Sequence, residues 1–123
     1  QLVLAQRLAR RSCKDCRVPD DDVTPKVLQD LGFSPEQASR VKALKGKGCA
    51  KCKDSGYKGR QGIYEILVVS KPVKEAILRK ATTPELRQIA IKEGFQTMQD
   101  MGRRLIANGE LNFREYERVL ASE

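Results

Sequence analysis

Four cysteines fall into two identical pairs, Cys13-x-x-Cys16 and Cys49-x-x-Cys52, with 32 residues between the pairs. A C-x-x-C turn can aim both sulfurs at one point while its backbone amides face them. Two such knuckles complete a tetrahedral four-thiolate site for one zinc ion. A site whose four positions are all taken by protein has no vacancy for water or substrate, so what it offers is structural and not catalytic. Arg11, Lys14, Arg17, Lys51 and Lys53 flank the pairs, and positive neighbours favour thiolates. The gap exceeds the roughly 15–20 residues of the commonest ribbon pattern. Two short helices placed between the pairs account for the excess.

The same spacing leaves other readings open. Two disulfides would need an oxidising compartment, and no export signal is visible. A thioredoxin-like dithiol would want one pair at a helix start in a βαβ unit, whereas there are two pairs here. An iron–sulfur centre would use the same ligands but needs a redox partner. Unliganded core thiols are the plainest alternative.

Other chemistry is excluded by residue type. With no His anywhere, the Ser-His and Cys-His nucleophile pairs and mixed Cys/His metal sites are ruled out. No G-x-x-x-x-G-K-[ST] phosphate loop occurs, and "KGKG" at 45–48 reads only as a basic turn. The expectation is no catalytic residue and no nucleotide-binding residue in this chain. The formal charge is +8, from 24 Lys and Arg against 16 Asp and Glu. Four thiolates and one Zn²⁺ bring −2, leaving +6. That excess admits nucleic acid, acidic lipid or an acidic protein face. The basic residues are spread along the chain, which reads as a solvated basic surface. A zinc-dependent nucleic-acid binder is the runner-up function, but aromatic residues do not interleave with the cations.

The elements that must position the cysteines follow from pattern. "LVLAQRLARR" reads as the end of a helix, with Leu4, Ala5, Leu8 and Ala9 as its apolar stripe. Thr24 with Pro25 opens a short helix, and Ser34-Pro35-Glu36-Gln37 a second with a capping box. "VKALKGKG" and "GIYEILVVS" are extended, and Gly56, Gly59 and Gly62 turn the chain between them, so these two strands pair as a hairpin. Arg60 and Glu65 at the strand edges read as a cross-strand ion pair. After Ser70 the period becomes helical. Val73, Ala76 and Ile77 form one stripe, and Leu86, Ile89 and Ala90 the next, opened by Thr82 with Glu85. Met98, Met101 and Leu105 mark a third helix, and Asn112 with Glu115 opens the last. The fold class is α+β and mostly helical: a four-cysteine zinc subdomain with a β-hairpin over 1–70, then a small helical bundle over 71–123. No apolar run approaches the ~20 residues of a membrane span. A start at Gln1 in mid-pattern suggests a piece of a longer protein.

Three stretches carry a resemblance: "LVLAQRLARRSCKDCR", "GCAKCKDSGYKGRQGIYEILVV" and "GFQTMQDMGRRLIANGELNFREYERV". They resemble the C-terminal zinc-binding region of the bacterial assembly ATPases that power type II secretion and type IV pilus extension. The likeness covers nearly the whole chain. Its most specific parts are Gln6-Arg7-Leu8 before the first pair, Gly48-Cys49-x-x-Cys52, and Gly62-Ile63-Tyr64-Glu65. The resemblance implies a cytoplasmic hexameric ring ATPase docked on inner-membrane platform proteins. It matches Cys13, Cys16, Cys49 and Cys52 to the ligands of one structural zinc. ATP and magnesium would be bound only in the parent protein, upstream of these residues. The partners implied are the rest of the parent ATPase, neighbouring subunits of its ring and the platform proteins, with no nucleic acid. The isolated chain is expected to be a monomer.

Overall fold

The computed structural model describes residues 2–121, the side chains of 2–4 and 121 excepted. The chain is α+β, with two small antiparallel sheets and six helices among the described residues. Strand β1 (Leu2–Ser12) leads through the first cysteine pair into β2 (Arg17–Pro19). Helices α1 (Pro25–Asp30) and α2 (Pro35–Arg40) follow. Strand β3 (Leu44–Gly46) leads through the second pair into β4 (Tyr57–Leu67). Helices α3 (Lys71–Leu78), α4 (Thr83–Lys92), α5 (Met98–Ala107) and α6 (Phe113–Tyr116) complete the chain, and α6 continues as a π-helical turn over Glu117–Ala121.

Strand pairing is nested. β1 pairs with β4 and β2 with β3, both antiparallel. Two expectations are corrected here. Residues 2–12 form a strand, not a helix end. Ala5 and Ala9 share a face at both helical and strand periods, so the residue that decides is Leu8. It is 53% exposed while neighbouring Ala9 is buried, which is alternation with period 2. The long pairing with β4 overrides the helical preference of Leu, Ala and Arg. The side chain of Leu4 lies outside the described residues. The expected hairpin between "VKALKGKG" and "GIYEILVVS" is also absent, because each segment pairs instead with the chain flanking the first cysteine pair. Gly62 lies within β4 rather than in a turn. A Cβ there would meet the Tyr64 hydroxyl at 2.4 Å, so the missing side chain makes room for the ring.

The helix starts obey their caps. Thr24, Ser34, Ser70, Thr82, Thr97 and Asn112 each accept a backbone N–H from the first turn. Ser34 with Gln37 closes the capping box. Arg60 and Glu65 do not pair. Arg87 reaches Glu65 at 3.0 Å, and Arg60 lies opposite Arg10 in the β1–β4 register.

The larger apolar core takes residues from both sides of residue 70. Ala9, Leu28, Phe33 and Ile63 pack with Leu105, Ile106, Tyr116 and Leu120. Gly102 lets α5 approach the last turns, since a Cβ there would meet Leu120 at 2.6 Å and Tyr116 at 2.8 Å. A second cluster of Leu67, Val73, Ala90 and Phe95 holds α3 and α4 together. Ile77, expected inward on α3, is exposed. The outer edge of β4 is covered: Ile66 exchanges backbone bonds with Gln96, and the Tyr64 N–H meets the Met101 sulfur at 3.3 Å.

Candidate metal centre

Each cysteine stands where the chain passes from the outer strand pair to the inner one. Cys13 directly follows β1 and Cys16 directly precedes β2. Cys49 follows β3, and Cys52 closes a single 3₁₀ turn, Ala50–Cys52, before β4. The knuckles are therefore stacked by the nested pairing: residues 36 apart in sequence, Cys13 with Cys49 and Cys16 with Cys52, have their sulfurs 3.8 Å apart. Cys49 and Cys52 are 3.7 Å apart, and all four sulfurs lie within 4.8 Å of one another. A tetrahedron with metal–sulfur bonds of about 2.3 Å has edges of about 3.8 Å. A disulfide needs about 2.05 Å, so these distances suit four ligands around one ion better than two covalent pairs. The donor set, four sulfurs with no oxygen or nitrogen, suits zinc.

The backbone shapes the site. Gly48 donates to Cys16 at 3.2 Å, Cys49 to Cys52 at 3.2 Å, and Gly56 to Cys52 at 3.3 Å. Burial opposes ionisation of Cys52, but its two backbone donors outweigh it and hold the thiol down to about 6. At Cys16 burial prevails over the single Gly48 donor and pushes the thiol up to about 11. Cys13 and Cys52 are buried, whereas Cys16 and Cys49 are partly exposed. The glycines permit a close approach that no other residue would. A Cβ on Gly46 would sit 2.0 Å from the Gly56 carbonyl oxygen, and Gly56 itself has φ +81. "KGKG" is thus more than a basic turn: its first glycine ends β3 against the backbone entering β4. The Cys13 N–H bonds the Gly56 carbonyl at 2.9 Å and the Lys47 N–H bonds the Cys16 carbonyl at 2.9 Å, so each knuckle is sewn to the other.

A second polar cluster, unremarked in the sequence, ties β1 to α6. Glu115 is fully buried, yet its carboxylate accepts from the Arg10 backbone and side chain at 2.7 Å each and from Arg118 at 2.7 and 2.9 Å. Burial alone would raise its pKa; the hydrogen bonds from Arg118 and Arg10 overcome that and hold it down to about 2. Arg10 also lies 4.1 Å from the centre of the Tyr57 ring, whose hydroxyl accepts from Asn112 at 3.0 Å. Only the helix-opening role of Glu115 is legible from its spacing to Asn112. Its burial depends on partners 105 residues away.

The four cysteines singled out by spacing are thus brought together. Comparison with known proteins bears on the family to which the chain belongs. Residues 1–118 match the family described as "Type II/IV secretion system protein". A type IV pilus assembly ATPase, PilB of Myxococcus xanthus, is 36% identical over 114 residues, 93% of this chain and 20% of its own. PilB of Thermus thermophilus is 39% identical over 103 residues, 81% of this chain and 11% of its own. A type II secretion system protein, HxcR of Pseudomonas aeruginosa, is 32% identical over 117 residues, 95% of this chain and 21% of its own. The chain spans about a fifth or less of the length of the relatives it matches.

Proposed function

The chain belongs to the type II/IV secretion system protein family, and from that premise we propose that it is the zinc-binding accessory module of an assembly ATPase serving type II secretion or type IV pilus assembly. The observation that carries this reading is the cluster of four sulfurs at tetrahedral edge length, drawn from both ends of a nested strand pair. Cys13, Cys16, Cys49 and Cys52 would hold one zinc. When bound, the ion supplies a structural clamp, since four protein ligands leave it no position for substrate. The module itself performs no chemistry. ATP and magnesium belong to the parent protein, on the inner face of the membrane, and the module would dock motor subunits or platform proteins. No helix among the described residues is long and apolar enough to cross a membrane, which suits a partner-mediated membrane location.

The test is Cys49→Ser in the full-length parent. Zinc should fall below one ion per chain, ATP turnover should remain measurable, and secretion or pilus assembly should fail. Loss of turnover in a folded ring would place the site in the catalytic machinery. Normal assembly without zinc would show the clamp to be dispensable.

A further inference from the structure

Charge is far less evenly distributed in space than along the chain. The two segments that meet at the cysteines, residues 10–17 and 45–60, carry ten Lys and Arg against Asp15 and Asp54. Their net +8 equals the whole formal excess; the remaining residues carry fourteen of each sign. A zinc tetrathiolate would offset only two of these charges. Folding brings these two separated segments together at the cysteines as one basic lobe, edged by Asp20, Asp22 and Glu117 on the side of Lys45 and Tyr57.

Some of these cations are already engaged. Arg10 is held by Glu115, Lys51 lies 3.8 Å from Asp15, and Lys45 lies 4.0 Å from Asp20. Lys14, Lys47, Lys53, Lys58 and Arg60 are exposed and have no acidic partner among the described residues. Three of them sit within two residues of a cysteine, and so around one centre. Arg60 lies directly across from Arg10 in the strand register, and Arg10 is already committed to Glu115.

We propose that this lobe is the docking surface of the module and that its occupant is an acidic face of a partner protein. This deepens the docking role proposed above and rests on it. Three observations select that partner. Among the described residues the exposed large apolar side chains are Leu8, Val68, Ile77, Leu78 and Ile91, and none lies in either lobe segment. A membrane-surface site would present apolar anchors among its cations. The lobe's one aromatic residue, Tyr57, is covered by Arg10 and its hydroxyl is taken by Asn112, so no ring is free to stack on a base. Four of the five free cations are lysines. They act as point charges suited to scattered carboxylates rather than as the rigid fork that favours phosphate and base edges. Such a surface sets orientation and association rate through charge complementarity.

The test uses the zinc-loaded chain and fluorescent poly-L-glutamate as the acidic polypeptide probe. Lys14→Gln/Lys47→Gln/Lys53→Gln should bind about tenfold more weakly than the parent chain. The matched control, Lys71→Gln/Lys74→Gln/Lys92→Gln, alters charge equally but outside the lobe and should change binding less than about twofold. Zinc content reports folding of each variant. Should the triple variant lose zinc, Lys58→Gln/Arg60→Gln repeats the comparison away from the knuckles. Equal losses in the lobe and control variants would overturn the proposal. So would tighter lobe-dependent binding to phosphatidylglycerol vesicles or to duplex DNA, or a salt-sensitive dimer of the chain alone. None of these results touches the zinc clamp, whose own test is Cys49→Ser.

Discussion

Glu115→Gln isolates the one carboxylate among the described residues that is fully buried and held ionised by its hydrogen bonds. The substitution keeps the shape of the side chain and removes its charge. Ionised Glu115 has a pKa of about 2 against an ordinary value of 4.5. At 1.36 kcal/mol per unit, that difference corresponds to about 3 kcal/mol of stability carried by the charged form. The folded value is the lower one, so the contribution is complete above about pH 4.5 and is lost as pH falls toward 2. Glutamine also turns an amide donor toward guanidinium groups that can only donate. Arg10 and Arg118 are about half exposed and can be rehydrated, which keeps the cost near that of the lost charge rather than that of a stranded buried cation. Urea unfolding of the zinc-loaded chain at pH 7 should show a loss of about 3 kcal/mol. Carboxyl-carbon NMR of the unsubstituted chain should show no Glu115 titration above pH 4. A loss below about 0.5 kcal/mol, or an inflection near 4.5, would mean that the arginines merely decorate a surface acid.

Three further outcomes are expected. Elemental analysis should give one zinc per chain, lost on chelation; a folded, metal-free chain or a coloured iron protein would refute the site. Amide exchange after chelation should accelerate over β1–β4 and α5–α6, which share the larger core, and least over α3–α4, which has its own cluster; acceleration confined to residues before 70 would contradict that division. Gly46→Ala should cost about 3 kcal/mol and weaken zinc retention, because its methyl group would meet backbone rather than a movable side chain.

What the sequence disclosed depended on the range of the interaction. The cysteine spacing and the helix caps are local, and Thr24, Ser34 and Asn112 cap where their side chains say they should. The long first strand was concealed because Ala5 and Ala9 lie on one face at either period, and the arbiter, the exposure of Leu8, is settled only by pairing with a partner strand. The nested pairing was concealed for the same reason: nothing in "GIYEILVVS" says whether its partner is the segment just before it or the one at the chain's start. The basic lobe was missed because charge was counted along the chain, where the 27 residues between its two segments carry five acids against three cations.

Nesting also explains where a metal clamp has most effect. Antiparallel β1 and β4 cannot pair until the whole intervening loop is closed, with Ser12 opposite Tyr57 at its inner end. That closure costs chain entropy before any contact is gained. The enclosed segment offsets part of it by placing Leu28, Phe33, Ala38 and Ala43 in the larger core, although α1 and α2 each bury only one side chain. An ion held from both sides of the crossing closes the loop at its narrowest point and aligns β2 with β3 at the same time. It also fixes the register of β1, which Arg10 and Glu115 then secure from the opposite end of the chain. On this view a zinc ion held by the four cysteines would act with the buried carboxylate on one element from two directions.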